Sequence, residues 1–478
     1  METQQKNLNK LKIYFFLISI ICHKFTYFKN SIINPLYMRF LNKCLNDISL
    51  KNIFVIYIFF AIFITTLSVI YCYLTINKFE IVDNNLEIIF KNLQFDYGNL
   101  THNMYYNNSF SQIKYGVLLY LYKFPLLAFI LVGLAKISKN IFFIFIMKNF
   151  FTYSLYFFST YLSLKSLNKT FLIFIIILFT PFINTYTIHN GLNIFYEDNL
   201  ITLFLPSLFL LIISEWSKKY LLCSVLIFLL YLTKSSMFYL SLLFPFLVFI
   251  LEENKISFKI IPFYGLILAI MIWGSFGYVK TDRFPFGTSQ LSGNSFALSS
   301  VILNKNFLNF YPSKSVDLIP QDQSAPKHFD DEWEFYDYYK EKNKIFLNEN
   351  FSYYLSTIPV KLKFIFFNVY KDSTFPDSKG NYKNEFMISY LINKFFFNFG
   401  ILILLITFVK NFKSLNSIKK ILHFKLEIYY LFFLAINLFP HVAAWATAKH
   451  LVPIQLISLI YLILKLSEKL DNKMYIKD

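Results

Sequence analysis

Residues 79–125 read FEIVDNNLEIIFKNLQFDYGNLTHNMYYNNSFSQIKYGVLLYLYKFP. They follow the apolar run Ile53–Thr75, which is long enough to cross a hydrocarbon core of about 30 Å. Glu80, Asp83, Glu87 and Asp96 therefore lie where the chain has just left the bilayer. A carboxylate there is solvated enough to ionise and close enough to the interface to meet a lipid-linked head group. The fold turns on how the stretch ends. With the N-terminus inside, the apolar runs 115–135 and 141–163 cannot both span. The first carries Lys123 and Pro125 in its middle, and both disfavour a buried helix interior. It is read as a helix along the outer interface. The first outer loop is then 76–140, with interfacial helices, and ten spans remain, or eleven if 115–135 crosses.

The composition agrees with a polytopic membrane protein. The chain has 478 residues, 56% of them hydrophobic, and a mean hydropathy of +0.48. No soluble chain of this length hides so much apolar surface. The net charge of +18 does not point to nucleic acid, because the basic residues fall mostly between apolar runs, as the positive-inside bias places them. The four cysteines, Cys22, Cys44, Cys72 and Cys223, sit in or beside apolar runs without metal-ligand or paired spacing. They read as small buried hydrophobes.

Further apolar runs cover about 170–187, 199–213, 220–233, 236–251, 260–277, 390–409, 424–440 and 451–466. Basic connections at 164–169, 214–219, 253–259 and 410–420 are expected inside, and the long segment 278–389 outside. The expected fold is an all-α membrane protein. A cytoplasmic basic arm (1–51) precedes an N-terminal membrane region (52–277), an extracytoplasmic segment (278–389) and a C-terminal membrane region (390–478). In 278–389, Asp330–Phe346 reads as a charged helix whose DDEWE cluster is a solvated face. Tyr353, Ile358, Leu362 and Ile365 read as an amphipathic helix returning to the membrane.

Candidate residues gather in the loops expected outside. These are Asp96, then Glu197 and Asp198, then Lys234 in LTKSS, then His441, Lys449 and His450 in PHVAAWATAKHLVP. Carboxylates and cations on one side of a bundle suit transfer from an anionic lipid carrier. The carboxylate takes a proton from an acceptor hydroxyl, and the cations hold the phosphate as charge develops on it. Taken singly, each has a plainer role: a solvated loop aspartate, a glutamate complementing a helix dipole, a lysine reaching for head groups.

The order FDYGNLTHNMYYNNSF, YGVLLYLYKFPLLAF, YEDNL, LTKSS and AKHLVPIQ resembles the GT-C superfamily of membrane glycosyltransferases. The protein O-mannosyltransferase and lipid A aminoarabinose transferase families are the nearest in layout. The resemblance implies a polyprenyl-phosphate-sugar donor and a glycan, lipid or protein acceptor, with no nucleic acid. Asp96 would be the catalytic base, and Glu197, Lys234, Lys449 and His450 would bind substrate. The site would face the extracytoplasmic side of a bacterial plasma membrane. The sequence departs from the family at Tyr97, where a glutamate is usual, and at Lys449 and His450, which stand for arginine and tyrosine. Lysine cannot hold a phosphate bidentately as arginine does. The carboxylates form no recognisable ligand set, so neither a metal nor a cofactor is expected. An O-antigen or capsule polymerase or ligase is the alternative, although such enzymes rely on arginines and this chain has only Arg39 and Arg283. A lipid or solute transporter is the second alternative, and it would show repeats or ionisable residues at mid-membrane.

Overall fold

A computed structural model describes residues 43–78, 96–114, 117–183, 197–288, 329–367, 384–410, 424–443 and 448–474. Its helices are α1 (Leu50–Lys78), α2 (Asp96–Tyr106), α3 (Leu126–Ile137), α4 (Ile141–Ser166), α5 (Phe171–Phe179), α6 (Glu197–Ile213) and α7 (Lys219–Tyr231). They continue as α8 (Phe238–Leu251), α9 (Ile256–Lys259), α10 (Ile261–Thr281), α11 (Glu332–Phe367), α12 (Asn384–Lys410), α13 (Lys425–Ala443) and α14 (Ala448–Met474). Between α2 and α3 lies an antiparallel hairpin, β1 (Gln112–Lys114) and β2 (Val117–Leu119), with Ile113 opposite Leu118.

Among the described residues, six segments are long and apolar enough to cross a membrane: Leu50–Ile70, Ile141–Ser166, Ile256–Thr281, Leu391–Lys410, Lys425–Ala443 and Leu451–Glu468. They mark an integral membrane protein. The packing follows from which faces are apolar. Helix α1 buries Ile53, Phe60, Ile64 and Ser68 but leaves Phe54, Phe59, Ile62 and Ile70 exposed, which suits contact with lipid tails. Helix α6 is buried at every position. It is apolar nearly all round, as a central helix must be, and α4, α7, α13 and α14 pack around it. Helices α7 and α10 pack closely at Gly265, where a Cβ would collide with the Ser224 backbone carbonyl.

Polar contacts tie together two ends of the bundle. At one end, Glu252 (after α8) meets Lys219 of α7, and Lys425 and Tyr429 of α13. The hydroxyl of Ser166 at the end of α4 accepts the Glu215 N–H at 3.1 Å, and Cys44 forms an antiparallel bridge with Thr170. At the other end lie the start of α6, the turn after α7 and the end of α13.

Two expectations change. The 115–135 run is not one helix along an interface: β2 and a turn occupy its first part, and α3 begins only after Pro125, which sits at the N-cap. Proline fixes its own φ and has no N–H to donate, so it suits the mouth of a helix rather than the interior. The DDEWE cluster is solvated at Asp330, Asp331 and Glu334, as expected, but not at Glu332. Glu332 is 3% exposed and accepts the Tyr120 N–H at 2.7 Å and the Leu121 N–H at 2.9 Å. The two helices expected after Asp330 are both present: they are the two parts of α11 and meet at a kink at Asn350 (φ −127°, ψ 30°). Cys72 and Cys223 are buried and Cys44 is partly so; Cys22 lies outside the described residues.

Candidate active site

Glu197 and Asp198 open α6, where the free backbone N–H groups and the helix dipole favour negative charge. Their cation comes from the turn after α7. Lys234 is extended (φ −155°, ψ 143°), so the chain leaves the helix there and the side chain swings to α6. Its Nζ lies 2.6 Å from Asp198 Oδ1 and 3.5 Å from Glu197 Oε1. The same turn fixes a second approach, because the Leu126 N–H donates to the Leu232 carbonyl at 3.1 Å. That contact brings the KFP turn alongside, and Lys123 Nζ reaches to 3.9 Å from Glu197 Oε1.

Two lysines thus face two carboxylates in a largely desolvated cluster, with side-chain exposures of 17% for Lys234 and 6% for Asp198. Burial alone would lower the pKa of Lys234. Asp198 and Glu197 outweigh burial and hold it above the ordinary lysine value. The ammonium stays charged, and its charge is already matched by its neighbours.

A small pocket lies beside this cluster. It is lined by Asp198 and Ile201 of α6, by Ser236 and Met237 from the turn before α8, and by Asn437, Pro440, His441 and Pro453. Pro440 and Pro453 sit inside α13 and α14. Each removes a backbone N–H from its helix and frees a carbonyl one turn earlier, which loosens both helices where they border the cleft.

Helix α11 bridges the two flanks of the site. Near its start Glu332 grips the backbone of Tyr120 and Leu121, just before Lys123. Arg283 stacks over Trp333 at 5.1 Å and pairs with Asp337 at 3.2 Å. Past the break at Asn350, the Tyr354 hydroxyl donates to the Ala443 carbonyl at 2.9 Å, and Lys361 Nζ donates to the Val442 carbonyl at 3.1 Å. These carbonyls follow His441 directly.

Of the residues named from sequence, Glu197 and Lys234 come together. Asp96 is the first residue of α2, and Lys449 and His450 lie in the first turn of α14; their side chains lie outside the described set, as do Glu80, Asp83 and Glu87. Sequence reasoning missed the roles of Lys123, Ser236, Asn437, Glu332 and Lys361. Lys123 did leave a signal, since a lysine beside a proline in an apolar run needs a polar partner. Among the described residues no group of three or more His, Cys, Asp and Glu side chains is disposed to hold a metal ion. Compared with protein-family models, curated proteins and solved structures, the chain matches none.

Proposed function

We propose that this chain is a ten-span membrane glycosyltransferase of the GT-C kind, moving a sugar from a polyprenyl-phosphate carrier to an acceptor hydroxyl on the extracytoplasmic face. The acceptor belongs to a glycolipid, glycan or protein. Asp96 takes the acceptor proton, the acceptor oxygen attacks the anomeric carbon, and the bond from that carbon to the phosphate oxygen breaks. Configuration inverts, and polyprenyl phosphate leaves. Glu197 and Lys234 shape the substrate site, and Lys449 and His450 meet the carrier phosphate. One observation carries this reading. Segments far apart in sequence meet at one end of the helices: Lys123, Glu197–Asp198 and Lys234 form one charged cluster, and Asp198 and His441 line the pocket beside it.

The test is transfer from radiolabelled polyprenyl-phosphate hexoses in membranes, wild type against Asp96→Asn. The expected result is transfer by wild type and a loss of about 10²–10⁴-fold in the variant. Equal rates would remove Asp96 as the base. Turnover of pyrophosphate-linked oligosaccharide instead would favour a polymerase.

A second reading rests on a polar seam inside the bundle. Asn199 Nδ2 donates to Asn149 Oδ1 at 3.4 Å, and Asn149 Nδ2 donates to Ser68 Oγ at 3.0 Å. Lys148 is buried beside it. Buried polar groups at membrane depth are costly and mark transport pathways in many membrane proteins, so a transporter is the competing class. Uptake of labelled lipid or solute by vesicles, abolished in Asn149→Leu without any sugar transfer by wild type, would favour it.

A further inference from the structure

Lys361, on α11, differs from Lys219, Lys234 and Lys465, each of which sits beside a carboxylate. Lys219 pairs with Glu252 at 2.9 Å, Lys234 with Asp198 at 2.6 Å, and Lys465 with Glu427 at 2.5 Å. Lys361 is 0% exposed and has no carboxylate within ion-pair distance among the described residues. Its Nζ donates to the Val442 carbonyl at 3.1 Å and lies 3.5 Å from the Ala443 carbonyl, and it sits 5.3 Å from the Tyr354 ring centre. The end of a helix carries only about half a negative charge, so these contacts leave part of a buried positive charge uncompensated. A buried charge is normally paired. Residues 444–447, which follow these carbonyls, read AWAT and supply no acid. The position is one residue beyond His441, whose side chain lines the cleft with Asn437 and Ser236. Lys234 and Lys123 face carboxylates, whereas Lys361 has only backbone carbonyls and a ring beside it, which leaves it able to meet an anionic ligand.

We infer that Lys361, at the junction of α11 with the end of α13, binds the phosphate of a phosphate monoester entering the cleft beside His441. A lysine ammonium is a compact point charge suited to a phosphate oxygen. Burial lowers its pKa to about 8, so it is still largely protonated at neutral pH, and an arriving phosphate would restore the charge balance. Calling this anion the donor's phosphate rests on the proposed transferase; the anion site itself does not.

The experiment is equilibrium binding of farnesyl phosphate to the purified full chain in detergent, with farnesol and inorganic phosphate as competitors. Wild type is expected to bind farnesyl phosphate, and farnesol is expected not to displace it. Lys361→Gln should weaken binding by about tenfold or more, the loss of one charge-assisted hydrogen bond. Lys361→Arg and the exposed-site control Lys363→Gln should bind as wild type does. Displacement by inorganic phosphate at its own direct affinity would support the site and make free phosphate its source. Unchanged binding in Lys361→Gln would overturn the proposal. Should that variant not fold, a photoreactive farnesyl phosphate on wild type decides: labelling within 354–361 or 437–443 supports it, and labelling only elsewhere overturns it. Binding without sugar transfer would fail the transferase and leave this site standing. Transfer with an unchanged donor KM in Lys361→Gln would do the reverse.

Discussion

Lys234 holds the candidate site together through a single ammonium between two carboxylates, 2.6 Å from one and 3.5 Å from the other. Removing one partner of a buried pair leaves the other charge unpaired, and the penalty is about 3–5 kcal/mol. Lys234→Met is therefore expected to lower stability by that amount and to abolish transfer, read by thermal unfolding in detergent and by the transfer assay. Asp198→Ala should cost more than Glu197→Ala, because Glu197 sits farther from Lys234 and shares the more distant Lys123. Equal costs would mean that the shorter ion pair is not the stronger one. The sequence already exposed part of this arrangement. YEDNL and LTKSS stand out as brief polar breaks between long apolar runs, so Glu197 and Lys234 were visible as candidates. That Lys234 meets this acidic pair was not visible, since nothing local links Asp198 to a lysine 36 residues on. Lys123 was misjudged for a related reason: in sequence it is an obstacle to burial, and only the fold brings Glu197 to it.

At the scale of elements, α11 does what neither of its halves would do alone. Its first turn is closed by Asp331, whose Oδ1 accepts the N–H groups of Trp333 and Glu334 at 2.6 and 2.8 Å, an N-cap arrangement. That frees Glu332 to face the hairpin, where Val117, Leu119 and Tyr122 pack with Phe329, Phe335 and Tyr339. Glu332 reads as part of a solvated face because four acids in five positions look hydrophilic, and its partners are backbone N–H groups, which have no sequence signature. Glu332→Leu strands both N–H groups of Tyr120 and Leu121 and is expected to destabilise the hairpin contact by about 2–4 kcal/mol. Limited proteolysis of 329–350 should accelerate, with the membrane helices unaffected. Cleavage at the wild-type rate would mean that the apolar cluster alone docks α11. The α7–α10 contact makes a separate prediction. Gly265→Leu drives a side chain into the Ser224 carbonyl, so the expected outcome is loss of the folded, monodisperse protein. Gly133→Ala, where a Cβ meets nothing within 4 Å, should be tolerated.

At the scale of the molecule, the two ends of α6 are held by opposite devices. One end carries the site. At the other, Lys219 donates to the Ile212 and Ser214 carbonyls at 3.1 and 2.8 Å and pairs with Glu252 at 2.9 Å. Glu252 also takes hydrogen bonds from Tyr220 at 2.7 Å and Tyr429 at 3.0 Å, and its Oε1 lies 2.6 Å from Lys425. One carboxylate thus joins α6, α7, α8 and α13, and through α6 and α13 it keeps Asp198 and His441 in register across the cleft. The apolar runs and their basic connections told which loops share an end, because both follow from the chemistry of a bilayer. They could not tell that an acid at position 252 would be the common anchor. Burial alone would raise the pKa of Glu252. Lys425 and Lys219 outweigh burial and hold it below the ordinary value of 4.5. In the unfolded chain the group protonates near 4.5, so below that pH the unfolded state binds more protons than the folded one, and stability falls as pH drops. At neutral pH, Glu252→Gln leaves Lys219 buried without a counter-charge and should cost about 3–5 kcal/mol. The gap between wild type and variant, followed by thermal unfolding from pH 7 downward, should hold constant to about pH 4.5 and then narrow as the wild-type carboxyl is titrated. A gap that stays constant to the acid limit would show that the charge of Glu252 is not what binds the four helices.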